Sequence, residues 1–595
     1  MLVTRDYFEQ FRETRGLSEE DFSALSRPSG SWVPDGTDEL CRFLHGLPRD
    51  IRIGVLSDFD CDGLMAGVVW YLSLRLMGFT NIVIGERDVA AGYGLAPSEL
   101  DAVPGCPVIV TSDVGTGAGD FVEAAHARGV IVAVTDHHLA DKDFSVQGLA
   151  DYFVNPSVGS RPDGVPAVCG AMVVWLVASR YFELHSGEAT AQILADLGLV
   201  RHFAAIATVS DAMPMRGMNR EAVAEAVRFF SYMIPVSDSG TVNGLASDSV
   251  LQNVLFNFHF FVRGLAPDFY TGFDMDFLVY QVIPTINAVK RMGGSVSLVY
   301  GALFGAGDGA AARSETLRAL NQDRKTLVSG VSDELTRAYD AGDLPFSRVF
   351  VLSGVPGGVC GLVAQKMADY TAGPVAVLLE RSDGSFAGSA RSFGGYPFLS
   401  SVNESGTAFC AGHQEACGIF ADSYAQLAAL DSFLELSFRD YETALPEVSG
   451  GGAFDVLMDF DADFVDFRRR LSAFWRECQA LAPFGSGFPA PRVCLRTHIG
   501  NGLFQGFGPG GTEHVRMDLG RGLRCTLWNT DLSTVAESAK DGVLYVSGTL
   551  SRFFSGGRYV TDLAGRVLTE IPDLSGYYEE RVLGPFSEEE DGDVA

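Results

Sequence analysis

Short apolar stretches alternate with helical sequence between residues 51 and 154, and this alternation constrains the fold more than any other feature. A parallel sheet that is covered by helices on both faces is built from such continuous apolar strands. The sequence therefore predicts an α/β fold in which ligands bind at the carboxyl ends of the strands. The predicted strands are IRIGVL at 51–56, NIVIG at 81–85, PVIVTS at 107–112, VIVAVT at 130–135 and DYFV at 151–154.

Further patterns divide the rest of the 595-residue chain. Residues 311–341 have the polar, helical pattern of a spacer, and a second α/β unit begins at RVFVLSG, 348–354. Strand-and-turn sequence rich in Gly over 492–570 indicates a small β-barrel. The predicted units are a helical N-terminal segment at 1–50, a catalytic domain at 51–310, a linker helix at 311–345, a second α/β domain at 346–450, a helix plus barrel at 455–575 and an acidic tail at 576–595.

The net charge of the chain is strongly negative. There are 75 acidic and 44 basic residues, which gives −31 at pH 7. Nucleic-acid-binding domains are usually basic, so this balance alone argues against DNA or RNA as a partner. Net charge does not show how the charges are arranged, and that question stays open at this point.

The cysteines and the apolar runs indicate the compartment. Ten cysteines occur without a CxxC pair, which favours a reducing, cytoplasmic location over a disulfide framework or a zinc knuckle. The N-terminal residues lack the apolar core of a signal peptide, so none is predicted. Apolar runs such as Ala171–Ala178 are too short to span a bilayer, and no membrane partner is expected.

Acidic and imidazole side chains follow the ends of three predicted strands, and a further acidic side chain lies at the end of an apolar helix. Carboxylates gathered at one sheet edge repel each other and need a cation to stay ionised. Carboxylate and imidazole groups suit Mn²⁺ or Mg²⁺, and their number is enough for two cations with a bridging carboxylate, which favours phosphoryl transfer. The residues are Asp58, Asp60, Asp62, Asp113, Asp136, His137, His138 and Asp211.

Simpler interpretations of these residues are weaker. A single Asp after a strand usually caps a helix or forms an Asx-turn. The DxDxDG stretch is not a calcium loop of the EF-hand type, because Val69 stands where the loop needs a Glu, six residues after Gly63. The joint occurrence at three strand ends, one with Asp-His-His, therefore favours a site.

The ordered set SDFDCDG, VTSDVG, VTDHH and TVSDAMP resembles the four motifs of the DHH phosphoesterase superfamily. Within it, further stretches resemble the RecJ single-strand exonucleases, and the resemblance covers about residues 50–570. It implies a DHH catalytic domain, a linker helix, a DHH-associated domain and a C-terminal OB-fold. The further stretches are DAMPMRGMNR, IPTINAVKRM, LNQDRK, GSARS, CAGHQEACG and LAPFGSGFPAP.

The resemblance also implies roles for single residues. Asp113 would bridge two cations, and Asp58 would be a ligand or would support one. Asp136 would orient a histidine, and His138 would face the scissile phosphate. The other implied metal ligands are Asp60, Asp62, His137 and Asp211. The implied contacts to the nucleic-acid backbone are Arg291, Ser389, Arg391, Ser392, Gly412 and His413.

The chain departs from the family pattern at several positions. Leu56 stands where many relatives have a histidine, Thr285 replaces an arginine, and Phe488 replaces an asparagine. The stretch PGGVCG lacks the histidine of the family's WHxGVIG. The metal motifs keep every Asp and His, so chemistry is predicted, whereas the departures fall mainly on implied substrate contacts.

The leading hypothesis is a metal-dependent exonuclease that degrades single-stranded DNA from the 5′ end and releases nucleoside 5′-monophosphates. A single-strand-binding protein or a helicase is a candidate protein partner. One alternative is a DHH phosphodiesterase acting on short oligonucleotides or cyclic dinucleotides, against which the added barrel argues. Another is a catalytically silent RecJ-like scaffold, against which the complete metal motifs argue. The exonuclease hypothesis requires an Arg-lined cleft within an acidic exterior.

Overall fold

The structure of the chain is a computed structural model. The predicted acidic tail from residue 581 onward lies outside the residues that it describes. The described residues are 2–18, 32–87, 94–139, 146–233, 250–266, 273–444, 454–463, 466–508, 514–520, 522–528, 530–555, 558–568, 572, 574 and 576–580.

The predicted helical segment at 1–50 contains a strand and two helices that pack in different places. Its elements are β1 (Leu2–Thr4), α1 (Tyr7–Thr14) and α2 (Thr37–Gly46). Strand β1 pairs with the last described strand, and α1 buries Tyr7 and Phe11 in the core of the C-terminal sheet. Helix α2 instead buries Leu40 and Leu44 in the core around the parallel sheet. Helical periodicity therefore did not reveal that this segment belongs to two units.

The parallel sheet predicted for the first half of the chain is confirmed. Its five strands are all parallel and lie in the order β3-β2-β4-β5-β6. The elements are β2 (Arg52–Ser57), α3 (Cys61–Leu76), β3 (Asn81–Ile84), a 3₁₀ helix (Pro97–Ala102), β4 (Val108–Ser112), α4 (Gly119–Ala127), β5 (Ile131–Thr135) and β6 (Tyr152–Val154). The central strands are buried on both faces, as the continuous apolar runs require.

Helices after the sheet complete the catalytic unit. They are α5 (Gly170–Leu184), α6 (Ala191–Ser210), α7 (Gly217–Met233), α8 (Val250–Leu265), α9 (Met275–Phe277), a π turn (Leu278–Val282), α10 (Ile283–Arg291) and α11 (Ser297–Phe304). Helix α3 is buried on nearly all sides, because α5 and α6 cover the face that the sheet leaves free. The acidic loop that leads into α3 is therefore attached to a helix that is packed on nearly all sides.

Among the described residues, only α6 has the length and apolar composition to cross a membrane. Half of its apolar stretch is buried inside the protein, where it packs against α3 and α7. The core helix of a globular protein passes the same test, so this finding is weak evidence for a membrane span.

A helix of 34 residues, α12 (Asp308–Ala341), lies where the polar spacer is predicted and leads to a second α/β unit. The sheet of this unit has the order β10-β11-β9-β8-β7, with only β7 and β8 parallel. Its elements are β7 (Val349–Leu352), α13 (Cys360–Thr371), β8 (Val375–Glu380), β9 (Phe386–Arg391), α14 (Phe398–Ser405), β10 (Phe409–Gly412), β11 (Ala416–Ala421) and α15 (Tyr424–Ala444).

The C-terminal unit contains one seven-stranded sheet in the order β12-β13-β17-β18-β16-β15-β14. This arrangement is compatible with the predicted OB-fold, whereas closure into a barrel stays a prediction, as do the domain limits. The elements are β12 (Val456–Asp459), α16 (Phe467–Leu481), β13 (Arg492–His498), β14 (Leu503–Phe507), β15 (His514–Gly520), β16 (Leu523–Leu527), α17 (Leu532–Ser538), β17 (Val543–Ser555), β18 (Arg558–Val567) and β19 (Tyr578–Glu580).

The helical pattern of the sequence covers 461–481, whereas α16 begins at Phe467, six residues after 461. The carboxylate of Asp459 accepts hydrogen bonds from the backbone N–H groups of Asp461 and Ala462, at 3.1 and 3.0 Å. This Asx-type turn holds the chain in a non-helical conformation after β12. The helix therefore starts only at Phe467.

A buried charged network fastens the N-terminus to the C-terminal unit. Asp463 accepts hydrogen bonds from the Thr4 backbone, at 3.1 Å, and from the Tyr7 hydroxyl, at 2.6 Å. Arg470 pairs with the same carboxylate and donates to the backbone carbonyls of Thr4 and Arg5. Each charge is thus compensated, and removing one partner would leave the other buried and unpaired.

Two neighbouring arginines on α16 test this network. We expect Arg470→Ala to lower the free energy of unfolding by about 3–5 kcal/mol, because Asp463 loses its counter-charge inside the protein. Arg469 pairs with Asp466 at the surface and is 80% exposed, so Arg469→Ala should cost less than about 1 kcal/mol. Urea unfolding curves of both variants measure the difference. Equal losses would contradict the interpretation.

Candidate metal centre

The backbone lines up the ends of the three strands that carry the acidic residues. Hydrogen bonding continues one residue past each strand: Asp58 N–H donates to the Ser112 carbonyl at 3.2 Å, and Asp113 N–H donates to the Thr135 carbonyl at 3.0 Å. Asp136 N–H donates likewise to the next strand, β6. The side chains of Asp58, Asp113 and Asp136 therefore start from adjacent points at one sheet edge, as the strand-end pattern predicts.

The DxDxDG loop folds back onto this edge. Asp60 caps α3 by accepting a hydrogen bond from Gly63 N–H, at 3.2 Å. Gly63 has to be glycine, because a Cβ there would lie 2.4 Å from the carbonyl oxygen of Asp58. Asp62 accepts hydrogen bonds from the N–H groups of Gly170 and Ala171, at 2.8 and 2.9 Å. It thus lies at the N-terminus of α5, which favours the ionised form.

Asp113 occupies the centre of the site under backbone strain. Its φ is 60°, in the left-handed region, and it is buried. A Cβ on Gly170 would lie 2.5 Å from the Cβ of Asp113, so α5 approaches this residue closely. The surrounding structure therefore fixes where the Asp113 carboxylate points.

Three buried polar atoms at the site have no hydrogen-bond partner: Asp58 Oδ2, Asp113 Oδ1 and His137 Nε2. The last two lie 3.0 Å apart, yet their geometry does not make a hydrogen bond. Leaving such atoms unsatisfied is costly, and a cation between them would satisfy all three. The donor set of carboxylates and one imidazole therefore fits a divalent cation such as Mn²⁺ or Mg²⁺.

All six predicted ligand side chains come together in overlapping groups. Within each group, the candidate ligand atoms lie within 4.8 Å of one another. Asp113 and His137 each belong to two groups. Of the two side chains, only the carboxylate of Asp113 has two oxygens with which it could bridge two cations. The groups are Asp113, His137 and His138; Asp62, His137 and Asp211; and Asp58, Asp60 and Asp113.

Asp136 and His138 form a pair beside this cluster. Asp136 Oδ1 lies 2.8 Å from His138 Nδ1, and its Oδ2 accepts a hydrogen bond from Thr116 N–H at 3.0 Å. Although burial opposes it, the bond to His138 holds the pKa of Asp136 well below its usual range. Burial alone would lower the pKa of His138, but Asp136 raises it to about 9. His138 is therefore the oriented histidine, and it is protonated at neutral pH.

The other carboxyl groups at the site have raised pKa values. Burial, together with the charge of Asp60, raises the pKa of Asp58 to about 6. Burial and the charges of Asp62 and Asp60 raise the pKa of Asp211 to about 8. Burial and neighbouring carboxylates also hold the pKa of Asp113 well above its usual range. Without a cation these groups cannot all ionise near neutral pH.

Sequence reasoning missed residues that support the acidic loop. Arg87 is buried and donates to Asp58 at 2.8 Å and to Glu99 at 2.7 Å. It follows β3 at the same sheet edge, and that position is the signal that could have revealed it. Asn287 accepts a hydrogen bond from Cys61 N–H at 2.8 Å and so fixes the start of α3. The motif containing Asn287 was recognised, but nothing in it indicated this contact.

Three arginines from three parts of the chain gather near the acidic cluster: Arg291 on α10, Arg324 on α12 and Arg391 on β9. Burial, together with the charges of Arg324 and Arg391, lowers the pKa of Arg291 to about 10. Among the described residues, no carboxylate lies within ion-pair distance of these guanidinium groups. An arrangement of like charges without a counter-charge is suited to an anion. Sequence reasoning did not single out Arg324.

The stretch PGGVCG at 356–361, which differs from the family pattern, lies between two of these arginines. A Cβ on Gly358 would lie 2.5 Å from the Arg291 backbone, and one on Gly361 would lie 2.7 Å from Arg391 Nη2. Ser389 is two residues along β9 from Arg391, and its Cβ also lies near Gly361. Glycines thus allow the two units to approach at this point.

The remaining predicted contacts lie on the adjacent hairpin. Ala416 pairs with Arg391 across the sheet, and Gly412 and His413 form the turn between β10 and β11. The hydroxyl of Ser392 donates to the Tyr396 carbonyl, so it is already engaged within its own unit. The structure therefore brings Ser389 and Arg391 to the arginine cluster and leaves Ser392, Gly412 and His413 beside it.

Comparisons with known proteins agree with this fold. Residues 52–200 match the DHH family, N-terminal domain. The chain is 25% identical over 454 residues to the single-stranded-DNA-specific exonuclease RecJ of Dickeya dadantii, covering 69% of this chain and 72% of that protein. It is also 25% identical to the protein of the same name from Escherichia coli, covering 64% of this chain and 66% of the relative.

Solved structures of RecJ share the fold. The crystal structure of RecJ in complex with Mn²⁺ from Thermus thermophilus aligns with a TM-score of 0.65 and 22% identity, covering 96% of this chain and 76% of the other. The corresponding Mg²⁺ complex aligns with a TM-score of 0.63 and 21% identity, covering 93% of this chain and 73% of the other. The residues that match the DHH model thus include most of the strand-end carboxylates of the candidate centre. Over most of its length the chain is similar to RecJ proteins, in sequence and in fold.

Metal removal and pH together test the candidate centre. In the metal-free protein, burial raises the pKa of Asp211 from 3.8 to about 8. This carboxyl therefore stabilises the folded state fully below about pH 4, and the contribution is lost as the pH rises through 8. Mn²⁺ replaces the proton, so we expect Mn²⁺ to raise the melting temperature more at pH 8 than at pH 6.

Differential scanning fluorimetry of chelator-treated protein, with and without Mn²⁺, measures this effect. Asp101 is exposed and pairs with Arg128 at the surface, so Asp101→Asn should respond to Mn²⁺ like the unmodified protein. Asp113→Asn should respond much less at both pH values. A Mn²⁺ effect that is larger at pH 6 would show that proton competition at these carboxyls is not the cause.

Proposed function

We propose that the chain is a divalent-cation-dependent exonuclease that degrades single-stranded DNA from the 5′ end and releases nucleoside 5′-monophosphates. The observation that carries this proposal is the juxtaposition of two clusters. One is acidic and contains orphaned ligand atoms, and the other consists of three arginines that pair with no carboxylate in the described part of the chain. The similarity to single-stranded-DNA-specific exonucleases supports the same substrate.

The acidic cluster would hold two cations, Mn²⁺ or Mg²⁺. When bound, they would supply Lewis-acid stabilisation of the phosphoryl oxygens. Asp113 would be shared between them, because it belongs to ligand groups on both sides. The remaining ligands would be Asp58, Asp60, Asp62, His137 and Asp211.

His138 would stabilise charge on the scissile phosphate. It carries a proton at neutral pH because Asp136 raises its pKa to about 9. Asp136 also fixes the ring through Nδ1, which leaves Nε2–H as the donor toward substrate. A donor held in place before the reaction stabilises developing negative charge without reorganisation. Asp136 would act only through His138.

The arginine cluster would bind the phosphate backbone of the strand. Arg291 and Arg391 come from different units, so a strand that contacts both would pass between the DHH unit and the second α/β unit. Guanidinium groups match phosphate oxygens in pairs, and they would attract DNA locally although the whole chain is acidic. Ser389, Ser392, Gly412 and His413 would extend this surface.

The C-terminal unit would add a stacking surface. Phe507, His514 and Trp528 form a cluster with ring centroids 5.0–5.7 Å apart, and Arg516 lies 4.8 Å from the Phe507 ring. Trp528 is half exposed, so its ring is accessible to a base. A cytoplasmic location, which the cysteine pattern favours, belongs to the same proposal. Contact with a single-strand-binding protein or helicase belongs to it as well and rests on the family resemblance.

A nuclease assay tests the proposal directly. We expect Asp113→Asn to lower the rate of Mn²⁺-dependent cleavage of single-stranded DNA more than about 100-fold, because it removes the shared ligand. Asp101→Asn is the matched surface control and should keep full activity. DNA and RNA strands labelled in turn at each end, together with a dinucleotide, measure polarity and substrate class.

The outcomes separate the three functions considered. Release of mononucleotides from the 5′ end of long DNA supports the proposal. Faster turnover of the dinucleotide than of the long strand would favour a small-substrate phosphodiesterase. Purified protein that leaves every substrate intact in Mn²⁺ would contradict the nuclease and favour a scaffold.

The salt dependence of binding tests the arginine cluster. We expect Arg391→Ala to weaken binding of single-stranded DNA and to reduce the slope of log affinity against log salt by about 0.7, because one phosphate contact is lost. Arg381 lies over the Phe420 ring in the same unit, and Arg381→Ala should leave the slope unchanged. Fluorescence anisotropy over a range of salt concentrations, in the Asp113→Asn background, provides the measurement. An unchanged slope in Arg391→Ala would remove this residue from the binding surface.

A further inference from the structure

The loop that carries Asp211 differs from the other elements of the metal centre. Asp58, Asp60 and Asp62 each accept a hydrogen bond that fixes their carboxylate. Among the described residues, none donates a hydrogen bond to the carboxylate of Asp211, and its side chain is 33% exposed. The position of Asp211 therefore depends on its backbone.

That backbone is strained just after the ligand. Asp211 ends α6, and Ala212 has a φ of 50°, in the left-handed region that residues with a Cβ rarely adopt. Such a conformation persists only where the surrounding structure enforces it. Asn219 does so from within the catalytic unit, since its side chain donates to the Pro214 carbonyl at 3.1 Å and to the Ala167 carbonyl at 2.7 Å.

The C-terminal unit holds the same loop from the other side. Met215 N–H donates to the Ser486 carbonyl at 2.8 Å. A Cβ on Gly485 would lie 3.0 Å from Met215 Cε, so the two segments are in close contact. The segment of the C-terminal unit that follows α16 therefore packs directly on the residues that follow Asp211.

Arg220 is the side chain that joins the two segments. It is 6% exposed, although it lies on α7 of the catalytic unit. Its guanidinium donates to the Pro483 carbonyl at 2.6 Å, to the Ala482 carbonyl at 3.3 Å and to the Leu481 carbonyl. These carbonyls lie at and beyond the C-terminal end of α16, where unpaired carbonyls favour a cation. Phe488, one of the family departures, lies under the guanidinium at 5.5 Å.

We propose that Arg220 is a positioning residue through which the C-terminal unit fixes the Asp211 loop and so completes the metal centre. The inference rests on the proposed role of Asp211 as a metal ligand. Arg220 does not touch the site and acts only through the loop between α6 and α7. The centre is then built by two units, since α16 and the residues after it set the position of a ligand more than 250 residues earlier in the chain.

Mn²⁺ binding by the full-length chain tests this inference without DNA. We expect Arg220→Met to weaken one of two Mn²⁺ sites by about 10–100-fold and to leave the other within about 2-fold, as Asp211→Asn would. Arg220→Lys keeps a cation beside the carbonyls and should recover part of the affinity. Isothermal titration calorimetry and Mn²⁺ electron paramagnetic resonance measure affinity and stoichiometry.

Arg201→Met is the matched control. Arg201 also links α6 to α7, through Glu221 and Glu225, but these contacts stay within the catalytic unit. It should lower stability without weakening Mn²⁺ binding. Equal Mn²⁺ losses in Arg201→Met and Arg220→Met, or unchanged binding in a folded Arg220→Met, would overturn the inference. If Arg220→Met does not fold, Phe488→Leu weakens the same contact and should shift the same site in the same direction.

The result is independent of the nuclease assay. Selective loss of one Mn²⁺ site in a protein that cleaves no DNA would support the positioning role while contradicting the proposed function. If the unmodified protein is an active nuclease and Arg220→Met binds Mn²⁺ unchanged, the proposed function would be supported and the positioning role contradicted. An unmodified protein that binds no Mn²⁺ would contradict both.

Discussion

Repulsion between carboxylates at one edge of the parallel sheet is the constraint on which the rest of the structure depends. Asp58, Asp62 and Asp113 are almost fully buried, and their raised pKa values show that they do not ionise together without help. Several parts of the protein oppose this repulsion. The N-terminus of α5 faces Asp62, and Arg87 faces Asp58. The unpaired atoms that remain define where a cation belongs.

The same constraint changes the meaning of the net charge. Taken as an average over the chain, the net charge of −31 argues against a nucleic-acid partner. Six of the acidic residues, however, lie at the candidate metal centre, where cations would offset them. Close by, three guanidinium groups have no carboxylate within ion-pair distance among the described residues. The charges of this region are thus separated into a candidate cation site and a candidate anion site, and a bound strand would meet this local field rather than the average.

The strand-end pattern predicted much of the site, because backbone topology alone brings strand ends together. The proximity of Asp113 and Asp136 could be predicted from the sequence, because the carboxyl ends of parallel strands lie at one edge of the sheet. Arg87 could have been found by the same reasoning. Arg220 could not, since the carbonyls that it contacts are more than 250 residues away and no spacing rule relates them. The split of residues 1–50 between two units was hidden for the same reason.

The departures from the family pattern have local structural roles in this chain. Leu56, which stands in place of a histidine, is completely buried in an apolar cluster beside the sheet. Thr285 accepts a hydrogen bond from Asn321 at 2.8 Å, and Asn321 in turn accepts one from Arg324 at 3.0 Å. Thr285 thus anchors the long helix and orients an arginine of the cluster, although the family arginine at its own position is absent.

Phe488, another departure from the family pattern, lies in the C-terminal unit and contacts Arg220. An asparagine there could hydrogen-bond, whereas the phenylalanine offers a ring face to the guanidinium of Arg220. That contact lies at the junction between the C-terminal unit and the loop that carries Asp211. The departures at Thr285 and Phe488 therefore support arginines at junctions between units. Thr285 contacts the long helix from α10, and Phe488 contacts Arg220 on α7 from the C-terminal unit, so both residues bear on how the units are held together.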